Sequence, residues 1–514
     1  MGQMVYRANL GSKAFPLISE NFGQSVILKQ FDQNYVKGAV NADDLDDTIG
    51  IPQCYYCHNV IATAQGYQSV GYRIRTPALA PNEEQFKDIK TIHDVDNNKA
   101  FITLTQDGRI YVARYPEYYW ISTPVSGSLA GRTLYIANIE GRSLIYISNI
   151  GCYEYDFDTN LLVSVSLTGL DTAQTIGIIA SQGYLIAWSK TAVAWSSTVD
   201  PTDFVPSLIT GAGGGSVEGA ESELTVLVAY NQGFVAYTAS NAVIAVYSGN
   251  SRYPFNFKTA NSTGGVTSGD LISFDSGSPS HWVYSSSGLQ QVSANVSTIA
   301  FPEITDFISG KYFEDFDEVT MEFTYTELDV DQALIKKLTV VSDRYLVISY
   351  GLQELTHALL YDLGLKRFGK FKITHSDCFE WRPLNQIEAD APRESIGFLK
   401  KDGQILVADL SPASDVSSGA ILLGRYQHAR TRLISIQEIR LDVVRVNRNF
   451  KGYILNQLSE DYTTQIPTPM YQSVIADKHR IFNSNVTGTN QTIVGIGSFS
   501  LTSVILKYIV NGRR

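Results

Sequence analysis

The residues best suited to chemistry are those of the run Cys54-Tyr55-Tyr56-Cys57-His58. Two cysteines at this spacing form half of a zinc site, and with the following histidine they match the attachment motif of a c-type haem. Zinc needs a second pair of ligands at a matching spacing, whereas the other two cysteines, Cys152 and Cys378, stand alone. Haem attachment requires export, and the first residues lack a basic region followed by an apolar one. We therefore expect a packed strand here, with neither a metal nor a cofactor.

Two other runs have the spacing of ligand-binding loops. Gly364–Lys370 fits a P-loop, but Phe371 stands where a serine or threonine hydroxyl would hold Mg²⁺. Asp156–Asn160 begins like a calcium loop, but Leu161 and Leu167 replace the required glycine and glutamate. The sequence therefore predicts ordinary hairpin turns at both places.

Catalytic groups are not arranged in a recognisable pattern either. None of the seven histidines has a partner four residues away, and no Gly-x-Ser-x-Gly elbow occurs. The acidic runs Asp43–Asp47 and Glu314–Glu318 could supply the two carboxylates of a glycosidase, although such runs are more often solvated loops. We expect a protein that is not an enzyme, and a propeller hydrolase stays as an alternative that activity screening would test.

Composition favours sheets and argues against a protein that grips nucleic acid. Charged residues make up 18% of the chain, while it has 40 glycines, 30 tyrosines and 23 phenylalanines. The formal net charge is −11, whereas affinity for DNA comes mainly from lysine and arginine. No stretch approaches the ~18 apolar residues of a membrane helix. We expect no membrane insertion and, with few cysteines and no export signal, synthesis in a reducing cytoplasm.

The elements that must position these residues are short strands separated by glycine-containing turns. Apolar strands flank three dipeptides that supply the positive φ of tight hairpins, namely Asp107-Gly108, Ser287-Gly288 and Asp402-Gly403. Gln182–Trp188 is echoed by Gln232–Tyr237, at an offset of about 50 residues that suits a propeller blade. The sequence therefore predicts an all-β protein with a β-propeller of roughly six to eight blades, closed by strands distant in sequence. A succession of β-sandwiches is the alternative.

The chain divides into three predicted regions. Residues 1–50 are expected to be an irregular N-terminal segment, 51–420 the propeller, and 421–514 a small C-terminal β-domain. Alternating apolar and charged residues predict half-exposed strands around Arg440 and Arg445. Several arginines make this last region locally basic.

Two segments inside the propeller region depart from its pattern. Asn82–Asp94 could form one short helix through Phe86, Ile89 and Ile92. The aromatic run Tyr115–Trp120 is expected to pack inside a blade. In the alternative function, a carbohydrate-binding adhesin or receptor-recognition tail component, the same run would be the platform for a sugar.

Three stretches resemble the tail nozzle proteins, also called tail tubular proteins, of short-tailed bacteriophages. These stretches are Gly50–Gly71, with Gly50-Ile51-Pro52-Gln53 and Gly66-Tyr67-Gln68-Ser69-Val70-Gly71; Trp195–Phe255, with Asp200-Pro201-Thr202-Asp203-Phe204, Tyr247-Ser248-Gly249-Asn250 and Tyr253-Pro254-Phe255; and Ala358–Phe371, with Tyr361-Asp362 and Phe368-Gly369-Lys370-Phe371. They touch about a third of the chain, and the second is the most specific.

The resemblance implies a structural virion protein without enzymatic activity. Such proteins form a homo-oligomeric ring, usually a hexamer, that continues the channel of the portal and adaptor and gates genome ejection. The partners implied are the tail adaptor, tail fibre proteins and viral DNA that passes without sequence-specific binding. The protein would be assembled in the host cytoplasm and reside in the tail of the virion.

Such a ring needs a lumen that lets DNA slide, which we expect to be neutral to acidic because basic linings bind DNA at every step. The candidate lumen or gate loops contain Gly211, Gly213, Gly214 and Gly215 in one segment and Glu314, Asp315, Asp317 and Glu318 in another. The basic strands with Arg440 and Arg445 would then face other proteins, such as an adaptor or the next copy.

Overall fold

The structure, a computed structural model, is built of antiparallel β-strands, and its described part contains one short 3₁₀ helix, Gly269–Leu271. No helix in that part is long and apolar enough to cross a membrane. The residues that the structure describes are 4–5, 16–21, 54–63, 67–76, 85–114, 118–250, 253–273, 280–293, 297–299, 312–328, 334–342, 344–365, 367–381, 395–410, 418–426, 432–446, 450–457, 465–469, 471–476, 479–488 and 490–513.

Seven blades, each a meander of four antiparallel strands, make up the propeller in the described part of the chain. The strands of blades 1 to 4 are, in order, Lys90–His93, Lys99–Leu104, Ile110–Arg114 and Trp120–Ser122; Leu134–Ile139, Arg142–Ile147, Gly151–Asp156 and Leu161–Val165; Gly177–Ser181, Tyr184–Trp188, Ala192–Trp195 and Gly213–Ser216; and Leu224–Tyr230, Gly233–Thr238, Asn241–Tyr247 and Phe255–Gly264. Those of blades 5 to 7 are Ile272–Ser273, Ser280–Ser285, Gly288–Ser293 and Ser297–Ile299; Ile335–Val341, Tyr345–Gly351, Leu355–Asp362 and Arg367–His375; and Asp377–Trp381, Ser395–Leu399, Ile405–Asp409 and Gly71–Thr76.

The blades stack around an axis because no single blade can bury both of its faces. The first strands of blades 2 and 3, 3 and 4, 5 and 6, and 6 and 7 contact one another, so the first strands are innermost and the fourth strands lie at the perimeter. Buried apolar clusters fill the spaces between consecutive blades, including the one between blades 7 and 1. Blades 5 and 6 are joined by a 2.6 Å hydrogen bond from the Val340 amide to Ser273 Oγ. The predicted propeller is thus confirmed.

Closure of the ring comes from strands that are far apart in the sequence, as expected. Gly71–Thr76 is the fourth strand of blade 7 and pairs with Ile405–Asp409. Arg73 Nε and Nη2 donate to Asp409 Oδ2 over 3.0 and 2.9 Å. Because this pairing joins the first propeller strand in the chain to the last, both ends of the propeller region complete blade 7 and so close the ring.

The repeated sequence segments occupy equivalent places in neighbouring blades. Tyr184–Trp188 and Gly233–Thr238 are the second strands of blades 3 and 4. Ser181 Oγ, just before the first of these strands, donates to Gly233 O over 2.6 Å. The repetition in the sequence therefore reflects the blade repeat of the fold.

The helix predicted for Asn82–Asp94 is wrong over the described residues, which begin at position 85. Lys90–His93 is the innermost strand of blade 1, and Phe86 forms a β-bridge with Thr105. The Phe86 amide also donates to Lys401 O of blade 7 over 2.9 Å. The apolar residues had helical spacing, but burial between blades 7 and 1 outweighs that weak local preference.

A second β-unit, here called the β-domain, combines strands from both ends of the chain. One of its sheets has five strands, in the spatial order Cys54–His58, Gly419–Tyr426, Asn490–Gly497, Lys451–Gln457 and Gln465–Pro469. The other runs through Val60–Ala62, Tyr67–Ser69, Phe499–Arg513, Arg432–Val446, His479–Gly488 and Tyr471–Ala476. Pairing of Lys370 with Val60 makes this second sheet continuous with blade 6. The β-domain is therefore attached to the propeller at blade 6.

The N-terminal region was expected to be irregular. The structure describes two strands in it, Met4–Val5 and Pro16–Asn21. The second of these pairs with Phe499–Arg513 of the β-domain, which supplies the backbone partners that an irregular segment would lack. The other residues up to position 50 lie outside the described part.

Candidate functional site

The acidic run that the sequence singled out lies on a two-stranded hairpin between blades 5 and 6. We call Tyr312–Glu327 the acidic hairpin; its strands are Tyr312–Asp317 and Glu322–Glu327. Asp317 Oδ1 accepts hydrogen bonds from the amides of Val319, over 2.7 Å, and Thr320, over 3.2 Å. These bonds fix the turn, and Met321 completes it with a φ of 60°. The segment expected to be a loop is therefore mostly strand.

The same turn closes the outer hairpin of blade 2. Asp156 Oδ1 accepts from the amides of Asp158 and Thr159 over 2.8 and 3.2 Å, and Asn160 has a φ of 60°. This result confirms the hairpin turn predicted at Asp156–Asn160. Asp317 accepts the same two bonds in the acidic hairpin. The presence of an aspartate at position 317 is therefore explained by the turn itself.

An apolar contact fastens the acidic hairpin to the β-domain. The side chain of Phe316 is fully buried and packs with Met321, Ala420, Leu422 and Val494. Ala420 and Leu422 belong to Gly419–Tyr426 of the five-stranded sheet. Burial of an aromatic side chain of this size contributes about 2–3 kcal/mol. Apolar packing thus holds the hairpin in place in addition to its charged contacts.

A charged contact fastens the other side of the hairpin to blade 6. Asp315 Oδ1 lies 2.6 Å from Lys372 Nζ, and the same ammonium group donates to Phe316 O over 2.8 Å. His357 Nε2 lies 3.4 Å from Asp315 Oδ1, which is long for a hydrogen bond. Partial burial opposes ionisation of Asp315, but its contacts with His357 and Lys372 outweigh burial and hold its pKa well below the ordinary value.

Glu318 makes the corresponding contact with the β-domain. Its Oε1 pairs with Nε2 of His58, the buried last residue of the strand Cys54–His58. The Phe316 ring lies beside the same imidazole, at 6.2 Å between centroids. Burial lowers the pKa of His58; the contact with Glu318 opposes this shift, and the charges of Lys372 and Lys370 reinforce it. His58 is therefore neutral at pH 7 while the hairpin is docked.

His357 occupies the blade 6 side of the same cluster. Its ring stacks on Tyr350 at 5.5 Å and meets the edge of Phe313 at 5.1 Å, and its Nδ1 lies 2.9 Å from Thr356 Oγ1. Burial lowers its pKa to about 3, although the neighbouring Asp315 acts in the opposite direction. The two histidines, whose pKa values are both lowered, thus face the carboxyl groups of Asp315 and Glu318 across the joint. This docking cluster, His58, Asp315, Glu318, His357 and Lys372, is suited to holding elements together and to responding to protonation.

The glycine segment lies elsewhere, so the two groups of candidate gate residues are not brought together. Gly213–Ser216 is the fourth strand of blade 3 and pairs with Ala192–Trp195, which corrects the expectation of a loop. The reason is steric. A side chain at Gly214 would meet Val193 O at 2.6 Å, so only glycine allows this close pairing. Gly211 precedes the strand with a φ of 76°.

Arg440 and Arg445 lie in the strand Arg432–Val446, as the sequence predicted. Arg440 is paired with Ile505, and Arg445 with Ser500, on Phe499–Arg513. The side chains of this strand lie outside the described part of the structure. The role of both arginines in protein contacts stays a prediction.

Sequence reasoning missed the histidine and lysine partners of the acidic run. His357 and Lys372 are cross-strand partners in blade 6, so they share one face of the sheet. The pairing could have been predicted by aligning the two strands on either side of the turn that follows Tyr361-Asp362, which places His357 opposite Lys372. Their contact with Asp315 depends on where the hairpin docks, for which the sequence carries no signal.

The strand predicted at Cys54–His58 and the turn predicted at Gly364 are confirmed. Cys54–His58 is a strand with a buried Cys57, and Gly364 lies in a hairpin turn between Leu355–Asp362 and Arg367–His375. Of the aromatic run Tyr115–Trp120, Tyr118 and Trp120 are buried between blades 7 and 1, as blade packing predicts, whereas Tyr119 is 59% exposed. Residues 115–117 lie outside the described part of the chain. Among the described residues, no group of three or more His, Cys, Asp and Glu side chains is placed to hold a metal ion.

Comparisons with known proteins identify no family. No protein-family model matches the chain, and no curated protein matches it. One similar solved structure is the WD40 β-propeller domain of Doa1, which is 10% identical with a TM-score of 0.40; the match covers 66% of this chain and 98% of that domain.

Proposed function

We propose that the protein is a structural component of a short-tailed bacteriophage virion, a tail nozzle ring that continues the portal and adaptor channel. The sequence resemblance is the source of this proposal. The observation that carries it furthest is the joint between two β-units: a closed seven-blade propeller is attached through blade 6 to a β-domain made from strands of both chain ends. A subunit with two such bodies offers distinct surfaces for a ring neighbour and for an adaptor.

The acidic hairpin is the part of the proposed nozzle that best suits a gate. It is anchored at both of its sides, by Phe316 on the β-domain and by Lys372 on blade 6. Release of the contacts of the docking cluster together with the Phe316 packing would free it without unfolding a blade. Its tip, with the exposed residues Asp317 and Val319, is then the segment that would reach a neighbouring subunit or the channel.

The charge of the chain supports a role in which DNA slides. The net charge is −11, and lysine or arginine linings would bind the duplex through counterion release. The nozzle should therefore show weak, unspecific affinity for duplex DNA at low salt. A tight complex with a steep dependence on salt would contradict the sliding channel and indicate a gripping role.

The decisive experiment is a cryo-electron microscopy map of the virion that carries the chain. We expect the propeller and β-domain in several copies around the tail axis, below the adaptor. A map in which the chain is absent from the axis would overturn the proposal. Placement on peripheral fibres, together with specific signals on a glycan array, would instead favour the receptor-recognition alternative.

A further inference from the structure

The fourth strand of blade 2, which we call the blade 2 edge, is an open edge of its sheet. This strand, Leu161–Val165, pairs on one side with Gly151–Asp156, and no strand in the described part of the chain pairs with its other side. The outward N–H and C=O groups of such a strand can bond a further strand. Leu161 is 49% exposed and Val163 51%. The edge therefore offers both backbone hydrogen bonds and apolar side chains.

The fourth strands of the other blades do not share these properties. Those of blades 4, 6 and 7 contain lysine or arginine. That of blade 3 consists of three glycines and a serine, and those of blades 1 and 5 have three residues each. Short length and charged side chains protect an edge strand from pairing with another chain. The blade 2 edge has five residues, none of which is charged, glycine or proline, so it lacks this protection.

Just past the blade 2 edge, the chain already bonds an added segment. Thr168 forms a parallel β-bridge with Asp203, in the loop between the third and fourth strands of blade 3. The Thr168 amide donates to Thr202 O over 2.9 Å, and the Phe204 amide donates to Thr168 O over 2.8 Å. Phe204 is anchored in the buried apolar cluster between blades 2 and 3. The backbone that continues the edge thus pairs with extended chain from outside its own blade.

The surroundings of the blade 2 edge are acidic. Residues 133–210, which run from blade 2 to the loop after the third strand of blade 3, contain seven acidic residues and two basic ones. Both basic residues are already paired, Arg142 with Glu154 and Lys190 with Glu223. The edge therefore lies in a region of net negative charge.

This charge selects the occupant of the edge. A second copy would bring the same acidic surroundings with it, so repulsion opposes edge-to-edge pairing of two copies. A strand with lysine or arginine at its ends is complementary instead, because Asp156 lies opposite Leu161 at one end of the edge. Asp203 lies at the bridge beyond the other end. The occupant is therefore a segment of another protein, basic at its ends.

We propose that the blade 2 edge binds an extended segment of another protein, which adds a fifth strand to the blade. The segment carries apolar side chains at alternate positions, which cover Leu161 and Val163, and lysine or arginine at its ends. Main-chain hydrogen bonds supply affinity in this mode of recognition, and the alternate side chains supply specificity. The inference goes beyond the proposed nozzle function and does not depend on it.

The test measures binding of a synthetic peptide, Lys-Lys-Val-Thr-Val-Ser-Val-Lys-Lys, to the purified full chain. We expect saturable binding that weakens as salt rises, because the basic ends meet an acidic region. The same peptide with glutamate in place of each lysine should bind at least about tenfold more weakly. A third peptide, with the amides of its five central residues N-methylated, cannot donate hydrogen bonds to an edge and should lose binding.

The place of binding is tested with Val163→Lys. A lysine at the centre of the edge should weaken binding of the basic peptide about tenfold or more. The matched control is Val319→Lys, which adds the same charge at the tip of the acidic hairpin, where Val319 is 92% exposed. Its affinity should equal that of the wild type. Unchanged circular dichroism and thermal unfolding show that both variants are folded.

Hydrogen exchange of the wild type locates the peptide without any variant. Addition of the basic peptide should slow exchange in Leu161–Val165, because the new hydrogen bonds protect the outward amides. Exchange in the fourth strand of blade 4, which contains Lys258, should stay unchanged.

Three results would overturn the inference: no binding of the basic peptide, equal affinities of the Val163→Lys and Val319→Lys variants, or protection of a different strand. Self-association of the wild type that the peptide displaces would assign the edge to a second copy and overturn the choice of partner. Failure of the proposed function has a different appearance. A virion map with the chain off the tail axis would reject the nozzle and leave measured peptide binding intact.

Discussion

Lys372 of blade 6 holds Asp315 of the acidic hairpin through an Nζ to Oδ1 distance of 2.6 Å, and its ammonium group also donates to the backbone oxygen of Phe316. One side chain of the propeller thus binds both the charge and the main chain of the hairpin. Because Phe316 packs on the β-domain, this contact connects three elements of the molecule. Its strength therefore controls how firmly the hairpin is docked.

The first prediction concerns the strength of that ion pair. In a double-mutant cycle with Lys372→Met and Asp315→Asn, we expect a coupling of about 1 kcal/mol in the free energy of hairpin opening. Both side chains are 33% exposed, so solvent screens part of the attraction. Hydrogen exchange of the hairpin amides, followed by mass spectrometry, measures the opening.

The control for this cycle is an exposed pair on the same propeller. Lys190 Nζ lies 3.1 Å from Glu223 Oε2, but these side chains are 68% and 65% exposed. The corresponding cycle with Lys190→Met and Glu223→Gln should give a coupling near zero. Equal couplings for the two pairs would show that Lys372 does not hold the hairpin.

The second prediction is that acid loosens the hairpin. Burial keeps the pKa of His357 at about 3 while the hairpin is docked, and release restores a value of about 6.5. The released state therefore binds a proton that the docked state does not. Docking is fully stable above pH ~6.5 and weakens as pH falls below it, by up to about 1.4 kcal/mol per pH unit for each such histidine. His58 acts in the same direction, because its pKa is also lowered.

The measurement is hydrogen exchange of the hairpin between pH 7.5 and 5, corrected for the intrinsic exchange rate. His357→Gln should reduce the pH dependence. The control variant His281→Gln removes a histidine buried between blades 4 and 5, whose pKa burial lowers to about 4, and should leave the hairpin profile unchanged. Asp315 does not affect this window, because its low pKa only matters below pH ~4. A hairpin profile independent of pH would contradict the prediction.

The third prediction concerns closure of the propeller. Asp409→Asn weakens the charge-assisted bonds from Arg73 and should destabilise blade 7 by about 1–2 kcal/mol. Hydrogen exchange in Ile405–Asp409 should become faster, because this strand seals the ring. Asp362→Asn is the matched control, since Arg344 Nε and Nη2 donate to Asp362 Oδ2 in the same way within blade 6. If the control accelerates exchange in blade 7 equally, the closure has no special dependence on Arg73.

The fourth prediction separates a paired strand from a mobile loop at the glycine segment. Gly214→Ala should destabilise the protein by about 1–3 kcal/mol, because its Cβ would lie 2.6 Å from Val193 O and 3.0 Å from Ala194 Cα. Gly215→Ala meets nothing within 4 Å and should be neutral or slightly stabilising. Thermal unfolding midpoints of the two variants decide the point. Similar midpoints would mean that the strand pairing does not form.

The sequence alone determined the local structure of the blades. Asp-Gly and Ser-Gly dipeptides predicted hairpins because positive φ is a property of the residues in the turn themselves. Hydrogen bonds from carboxylates such as Asp156 to amides two and three residues later are equally local. The blade repeat was visible for the same reason, since each blade uses the same short-range pattern of strand and turn.

The number of blades, the pair of strands that closes the ring and the position of the acidic run depend on long-range contacts in the folded chain. Asn82–Asp94 had helical spacing, yet the described part forms a bridge and a strand because burial between blades 7 and 1 exceeds its helix preference. Asp409 meets Arg73, and Glu318 meets His58, across several hundred residues of chain. Such contacts depend on the arrangement of all seven blades and the β-domain, because the free energy of each pair is gained only after distant strands have been brought together.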